Sequence, residues 1–272
     1  MTTLFRRLAA ALIVTMGASL PAAAATNTID YTDLWYNAPA ESQSGWGVNV
    51  IQQNNTIFAT MFVFGSDNTP RWYVASNVLF TGGTTFTGAL YSVGTGTWFG
   101  APWAGVSNVQ QVGNIAFTFN SVTTGTLVYS VNNVQVTKQI VRQSTVYDNL
   151  AGNYIGGLVG TGSNCGATGI LIHGELTVQH TGGSVNMTTN FFNGNGQAGT
   201  CTYTGAYAQI GSMGQVSNGS YNCTIAGQAN ALVGSFSLSE IKMTRNGFTS
   251  RVSGSDNVCT YTGYFGGIKD VL

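Results

Sequence analysis

The stretch Gly45–Phe64, GWGVNVIQQNNTIFATMFVF, alternates apolar and polar side chains on either side of an asparagine pair. Trp46, Val48 and Val50 fall on one face of its first half, and this period of two is typical of a half-buried β-strand. The pair Asn54-Asn55 suits a two-residue turn, because asparagine tolerates the positive φ that such turns require. The stretch therefore predicts a β-hairpin.

The same pattern recurs along the rest of the chain, with no helical periodicity after the first 25 residues. Charged residues make up only 7% of the sequence, against about 25% in typical globular domains. Serine, threonine and asparagine can cover β-surfaces in their place, and 37 glycines fit many tight turns. Further strands are predicted over 71–80, 85–93, 114–120, 126–131 and 134–142. The sequence predicts an all-β protein of antiparallel meander barrels or sandwiches.

Residues 1–25 have the organisation of a secretory signal peptide. Arg6 and Arg7 precede the apolar run Leu8–Met16, and small residues end the segment at Ala25. The apolar run is too short to span a bilayer, and we expect no transmembrane helix elsewhere. The mature protein is therefore predicted to be secreted, in the periplasm or outside the cell.

The charge balance excludes some partners. Without Arg6 and Arg7, seven of the nine basic residues remain against nine acidic ones, a net charge of −2. Such a weakly acidic chain with scattered lysines and arginines has no electrostatic footprint for nucleic acid. We expect no nucleic-acid partner.

A change of composition predicts two domains. Every tryptophan precedes residue 143 and every cysteine follows it. We place an aromatic-rich β-domain at 26–142, a linker at 143–149 and a disulfide-containing β-domain at 150–272.

The second domain contains an internal repeat, with units near 164–205 and 222–263. Two matches share a displacement of 58 residues: N-C-x-x-x-G begins at Asn164 and again at Asn222, and C-T-Y-T-G begins at Cys201 and again at Cys259. A third match, M-T-x-N-x-F at Met187 and at Met243, is displaced by 56 residues. The domain is thus predicted to consist of two similar β-units.

The four cysteines are predicted to form disulfides, since an exported chain meets an oxidising compartment. Pairing within each repeat, Cys165 with Cys201 and Cys223 with Cys259, is the simplest of three connectivities, and pairing between repeats stays open. The cysteines lack the close C-x-x-C spacing of a zinc site. We expect no metal and no cofactor.

Few residues could support catalysis. His173 and Glu175 share one face of a strand-like run and His180 lies on the other, an arrangement typical of solvated strand positions. Asp30, Asp33 and Glu41 form an acidic group near the mature N-terminus, which we interpret as solvated rather than as the paired carboxylates of a glycosidase. The sequence predicts that the protein is not an enzyme.

Aromatic residues of the first domain are the predicted ligand-binding residues. Several lie beside glycine or at turn edges, where a ring could stack on a sugar or line an apolar pocket. The alternative is that these rings fill the core. The candidates are Trp35, Trp46, Trp72, Tyr73, Trp98 and Trp103.

Two resemblances add to this reading. The series LWYNxPxES, SGWGVN, IFATMF and PRWY, which runs from Leu34 to Tyr73, resembles motifs of a family of uncharacterised secreted proteobacterial β-proteins. Gln43 is an insertion in that pattern, and the resemblance implies no activity and transfers no catalytic residue. Gly152-Asn153-Tyr154 is similar to the G-x-[WY] opening strand of lipocalin-like barrels, which implies architecture only.

We therefore expect an exported, non-catalytic binding or surface-interaction protein that recognises a small apolar ligand or a glycan. The alternative is a structural or matrix-forming surface β-protein. An outer-membrane barrel and a carboxylate-dependent hydrolase are the remaining possibilities.

Overall fold

A computed structural model describes residues 27–164, 169–193 and 195–270, without the side chains of 106 and 107. The predicted signal peptide and Cys165 lie outside the described residues. The described chain forms two closed antiparallel barrels of eight strands each. The predicted all-β fold with two antiparallel meander domains is confirmed. No helix in these ranges is long and apolar enough to cross a membrane.

The first barrel runs through eight consecutive strands. They are β1 (Asp33–Asn37), β2 (Gly47–Gln53), β3 (Thr56–Phe64), β4 (Pro70–Gly82), β5 (Thr85–Gly96), β6 (Val106–Phe119), β7 (Thr124–Val131) and β8 (Val134–Arg142). The barrel closes where β1 pairs with β8, with Trp35 opposite Arg142. We call the end that carries the connections 38–46, 65–69, 97–105 and 132–133 the mouth, and the opposite end the base.

The base of the first barrel is closed by aromatic rings and one arginine. Tyr31, from the segment before β1, stacks on Phe119 with ring centroids 3.6 Å apart. The Arg142 guanidinium lies over the Trp35 ring, 5.0 Å from its centroid, and both side chains are buried. Arg142 also donates to the carbonyls of Asp30 and Thr32 at 2.7 and 3.0 Å, which fastens the N-terminal segment across the base.

The second barrel contains β9 (Gly152–Ser163), β10 (Gly169–Thr181), β11 (Ser184–Phe192), β12 (Ala198–Ile210), β13 (Met213–Ile225), β14 (Gln228–Thr244), β15 (Gly247–Asp256) and β16 (Thr260–Lys269). The 58-residue displacement maps β9 onto β13 and β12 onto β16. The repeats are therefore the four-strand units β9–β12 and β13–β16. They meet at two seams, β12 against β13 and β16 against β9.

The disulfide pairing within repeats is wrong, because Cys201 is bonded to Cys223. The reason is topological. In a closed barrel of two four-strand units, the first and last strands of a unit lie at opposite edges of that unit, and each pairs with the other unit. Cys201 and Cys223 are directly opposed across the β12–β13 seam.

The third sequence match of the repeat does not correspond to equivalent structure. Met187 lies within β11, whereas Met243 lies near the end of β14, before the turn into β15. Phe192 points outward and is 69% exposed, whereas its counterpart Phe248 is buried. The cysteine motifs, which share the displacement of 58, identify the repeat correctly.

The base of the first barrel contacts the second barrel. The Asp33 carboxylate accepts hydrogen bonds from the backbone N–H and the hydroxyl of Ser212, both at 2.8 Å. Gly211 N donates to Ser144 Oγ at 2.8 Å, and Lys242 forms an ion pair with Asp30. Because the junction uses the base, the mouth of the first barrel lies at the end remote from the second barrel.

Candidate binding site at the mouth of the first barrel

The structure does not bring the six predicted ligand-binding residues to one place. Trp35 is in the core at the base, and Trp46 and Tyr73 point inward near the mouth. Trp72 lies on the outer wall, 50% exposed. Trp98 and Trp103 lie in the connection between β5 and β6, 67% and 72% exposed.

Trp35 fills the core rather than a ligand site. It is fully buried between Arg142 and Phe119, and its indole N–H donates to the Tyr31 carbonyl at 3.0 Å. A ligand could not reach this ring without removal of the N-terminal segment.

Trp46 is also covered, although glycines flank it. Its side chain is only 8% exposed. The Phe64 ring occupies the space beside Gly45, and Lys138 Nζ lies 5.7 Å from the indole centroid. The Trp46 indole N–H donates to Tyr129 Oη at 3.3 Å. Gly45 therefore admits the Phe64 ring instead of leaving the indole open, and Trp46 packs beneath the mouth.

An open cleft of about 470 Å³ lies at the mouth of the first barrel. Its inner walls are the inward-facing side chains of β3, β4, β7 and β8, namely Val63, Tyr73, Tyr129, Val131 and Val136. Its rim comes from the β3–β4 and β7–β8 turns and includes Ser66, Asp67, Arg71 and Asn132. Rings line the depth of the cleft and hydrogen-bonding groups line its edge, an arrangement suited to a ligand with both kinds of surface.

The charges at the rim compensate one another. Arg71 Nη2 lies 2.6 Å from Asp67 Oδ2. Hydrogen bonds from Thr69, with the charge of Arg71, hold the pKa of Asp67 below its ordinary value. Burial raises the pKa of Tyr129 despite the hydrogen bond from Trp46, so this hydroxyl stays neutral in the physiological range. The cleft thus offers neutral donors and acceptors with one closed ion pair.

Sequence reasoning missed several wall residues of the cleft. Tyr129 and Val131 lie in a strand predicted from its alternation, on the same face as the buried Leu127. The pattern indicated that these side chains point inward. It could not indicate that they stand at an open end, because strand order and register decide that.

The interior of the second barrel is filled over the residues that the structure describes. Its rings and aliphatic side chains fill the interior and leave a void of about 10 Å³, beside Met187, Tyr203 and Phe236. A single water needs about that much space. This void is too small for an organic ligand.

The candidate catalytic residues lie apart from the cleft. His173 and Glu175 are exposed on β10. His180 Nδ1 accepts a hydrogen bond from Leu150 N at 3.1 Å, and Nε2 contacts the Gly182 carbonyl at 3.0 Å, so both ring nitrogens have structural partners. Within the described ranges, no group of three histidine, cysteine, aspartate or glutamate residues could hold a metal ion.

The acidic group near the N-terminus is not a solvated cluster. Asp33 pairs with the buried Arg142 at 2.9 Å, and Asp30 pairs with Lys242. Glu41 lies in the exposed connection at the opposite end of the barrel. The three carboxylates therefore do not face one substrate.

Comparison with known proteins leaves the cleft to be interpreted from its own geometry. No protein-family model matches this chain, and no curated protein matches it.

Proposed function

We propose that this is an exported, non-catalytic binding protein that holds the end of a neutral glycan at the mouth of its first barrel. The observation that carries the proposal is the cleft itself, with Tyr73 and Tyr129 in its depth and a charge-balanced polar rim. A sugar ring has an apolar face that packs on aromatic rings and an edge of hydroxyls that needs donors and acceptors.

The shape of the cleft favours a glycan over a small apolar ligand. Pockets for small molecules bury about 70–90% of the ligand surface. Below the mouth, however, the barrel is filled by Trp46 and by the buried rings of Phe86 and Phe117. An apolar molecule would therefore remain largely exposed to water, whereas a glycan end needs only partial burial.

The test is titration with a panel of neutral oligosaccharides, read by intrinsic fluorescence because Trp46 lies beneath the cleft, and by calorimetry. The variant Tyr73→Ala is expected to bind about tenfold more weakly, since one stacked ring contributes about 0.5–1.5 kcal/mol beyond its buried area. Trp72→Ala is the matched control, because Trp72 is the neighbouring residue on the same strand and points outward. Tyr73→Phe separates the ring from the hydroxyl and preserves packing.

Absence of binding by every oligosaccharide would contradict the proposal, as would equal weakening in Tyr73→Ala and Trp72→Ala. If the protein bound an apolar probe but no oligosaccharide, and Tyr73→Ala weakened that binding, the ligand of the cleft would be a small apolar molecule instead of a glycan.

A structural surface protein is the second candidate, favoured by the outer wall of the second barrel. Neighbouring strands there present paired hydroxyls, such as Ser237 with Ser253 at 2.9 Å and Thr204 with Ser220 at 3.2 Å. Such paired hydroxyls could pack against a like wall at low desolvation cost, since the charges beside them on β14 and β15, Glu240 and Arg251, are paired with each other at 2.9 Å. Concentration-dependent assembly in sedimentation experiments, with no glycan binding, would favour this candidate.

A further inference from the structure

The connection between β5 and β6 carries three of the most exposed aromatic side chains of the described chain. Phe99 is 96% exposed, Trp103 72% and Trp98 67%. The nine residues of the connection, TWFGAPWAG over 97–105, contain no charged side chain. We call Trp98, Phe99 and Trp103 the aromatic tip.

The aromatic tip does not stabilise the barrel. None of its three rings belongs to the core of the first barrel. Trp98 and Phe99 contact each other, with centroids 5.3 Å apart, and the Trp98 ring also lies over Gly100. Large apolar rings left in water without a structural use mark an interaction surface.

Local hydrogen bonds hold the connection in shape. Ala101 N donates to the Trp98 carbonyl at 3.0 Å, and Ala104 N donates to Thr97 Oγ1 at 2.8 Å. The Thr97 hydroxyl in turn donates to the Gly105 carbonyl at 3.3 Å. The rings are therefore presented by a defined turn, and binding would require little additional ordering of the backbone.

More aromatic rings lie at the same end of the barrel. Phe62 and Trp72 are directly opposed on the outer wall of β3 and β4, each 50% exposed, and Phe64 ends β3 with 55% exposure. Strand β4 pairs with β5, so this wall adjoins the strand that leads into the aromatic tip. The exposed rings thus continue from the tip onto one side of the barrel.

The charge pattern favours an uncharged partner. At the mouth end of the first barrel the charged side chains are Arg71 and Asp67, which form an ion pair with each other, Lys138, whose Nζ donates to Gln43 Oε1, and Glu41 in the connection 38–46. Attraction to an anionic surface uses clusters of unpaired lysines and arginines, and neither the connection 97–105 nor the hairpin before it offers one. Insertion of the rings into the headgroup region of a bilayer needs no such charge, and tryptophan is enriched at that depth.

The geometry also favours a bilayer over a flat glycan. The Trp98 and Phe99 rings are tilted by 48° to each other, so they do not form one stacking platform. Phe99, the most exposed ring, has no polar atom for a sugar hydroxyl. A fluid interface accepts tilted rings equally well.

We propose that the aromatic tip inserts into the interfacial region of a membrane with zwitterionic lipids and anchors the protein reversibly by its mouth end. The proposal is independent of the glycan site, which uses inward-facing side chains of the same end.

The experiment measures co-flotation of the mature protein with phosphatidylcholine vesicles. The wild-type protein should bind, and the triple variant Trp98→Ala, Phe99→Ala, Trp103→Ala should bind at least about tenfold more weakly, because each inserted ring removes a large apolar area from water. Phe192→Ala is the matched control, since Phe192 is a 69% exposed ring on the second barrel. Tyr73→Ala should bind vesicles like the wild-type protein, which separates this test from that of the glycan site.

Brominated phosphatidylcholine supplies a second readout. It should quench tryptophan emission of the wild-type protein, whereas the variant Trp98→Phe, Trp103→Phe should still bind vesicles and lose most of the quenching. High salt should not release the protein. The proposal would be overturned if the wild-type protein did not bind vesicles, if high salt released it, or if the triple variant bound vesicles as well as the wild-type protein. It would also be overturned if the triple variant lost only glycan binding or self-association.

Discussion

Cys201 and Cys223 face each other across the seam where the two copies of the duplicated unit meet, and their sulfurs are bonded. The repeat maps this seam onto the second one, between β16 and β9. Cys259 is disulfide-bonded and precedes Thr260, which pairs with Ser163 of β9. We therefore predict that the other disulfide joins Cys259 to Cys165, so that each seam of the second barrel carries one disulfide.

Mass spectrometry of peptides from the non-reduced protein tests this connectivity. A peptide that links Cys165 to Cys201 would contradict it. The variant Cys201→Ser, Cys223→Ser should lose about 3 kcal/mol of stability in the chain-entropy description, given the separation of 22 residues. The five tryptophans all lie in the first barrel, so their emission should be unchanged while the second barrel melts earlier.

The sequence predicted strands well where alternation was regular and poorly where closure depended on distant pairing. The hairpin of β2 and β3 follows directly from period two around Asn54-Asn55. By contrast, β1 is only five residues long, and it exists because it pairs with both β2 and β8 to close the barrel. The first half of β6 was missed because its sequence, VSNVQQVG, does not alternate regularly.

The candidate site was predictable in residue type but not in position. Alternation predicts that Tyr73 points inward and Trp72 outward. It does not predict whether an inward ring lies at the mouth, as Tyr73 does, or at the base, as Trp35 does, because that depends on the order of the strands. Trp98 and Trp103 were among the predicted ligand-binding residues because they belong to the aromatic-rich first domain, several of whose rings lie beside glycine or at turn edges. Phe99 between them was overlooked.

Truncation of Trp46 to alanine should cost far more stability than truncation of Trp72 to alanine. Trp46→Ala removes a ring from the core beneath the cleft and should destabilise the protein by about 3–5 kcal/mol. Trp72→Ala removes a ring from the outer wall, where surface substitutions usually change stability by less than about 0.5 kcal/mol. Thermal melts of both variants measure the difference. A large loss of stability in Trp72→Ala would contradict its placement on the outer wall.

Of the two ion-paired arginines of the first barrel, Arg142 should cost more stability when it is replaced. Its side chain is fully buried, bonds Asp33 and packs on Trp35. Arg142→Met leaves the mostly buried Asp33 carboxylate without its ion-pair partner, although the Ser212 hydrogen bonds remain, and should cost about 3–5 kcal/mol. Arg71 is paired at the exposed rim, and Arg71→Met should cost at most about 1 kcal/mol. Denaturant unfolding measures the loss of stability in both variants. Equal losses would contradict the prediction that the buried pair contributes more than the exposed one.

The second barrel should be sensitive to alkali because of its buried tyrosines. Burial, with a smaller contribution from Asp148, raises the pKa of Tyr207 to about 12, whereas a tyrosine in the unfolded chain titrates near pH 10. Burial also raises the pKa values of Tyr203 and Tyr221. The unfolded chain thus releases these protons first, and the stabilisation present below about pH 10 is lost as pH rises toward about 12.

Absorbance of tyrosinate, followed together with far-ultraviolet circular dichroism, measures this effect. The buried tyrosines are expected to ionise late and together with unfolding. Tyr207→Phe removes one of the shifted groups, so its stability should fall less steeply between about pH 10 and 12. A steepness identical to that of the wild-type protein would contradict the role given to Tyr207.

The junction between the barrels should depend on the small size of residue 211. Gly211 has a φ of +65°, and a Cβ at this position would collide with the Arg142 side chain and the Asp33 carboxylate. Gly211→Ala should therefore separate the β12–β13 turn from the base of the first barrel, weakening the Asp33–Ser212 hydrogen bonds while each barrel stays closed. Ser212→Ala is the matched control, because it removes only the hydroxyl bond and leaves the backbone bond to Asp33.

Small-angle scattering should show a larger radius of gyration for Gly211→Ala than for Ser212→Ala, and the far-ultraviolet spectra should be equal. Unchanged scattering by Gly211→Ala would contradict this prediction and would mean that the remaining contacts, the Lys242–Asp30 ion pair and the hydrogen bond from Gln209 to the Val146 carbonyl at 2.8 Å, hold the two barrels together.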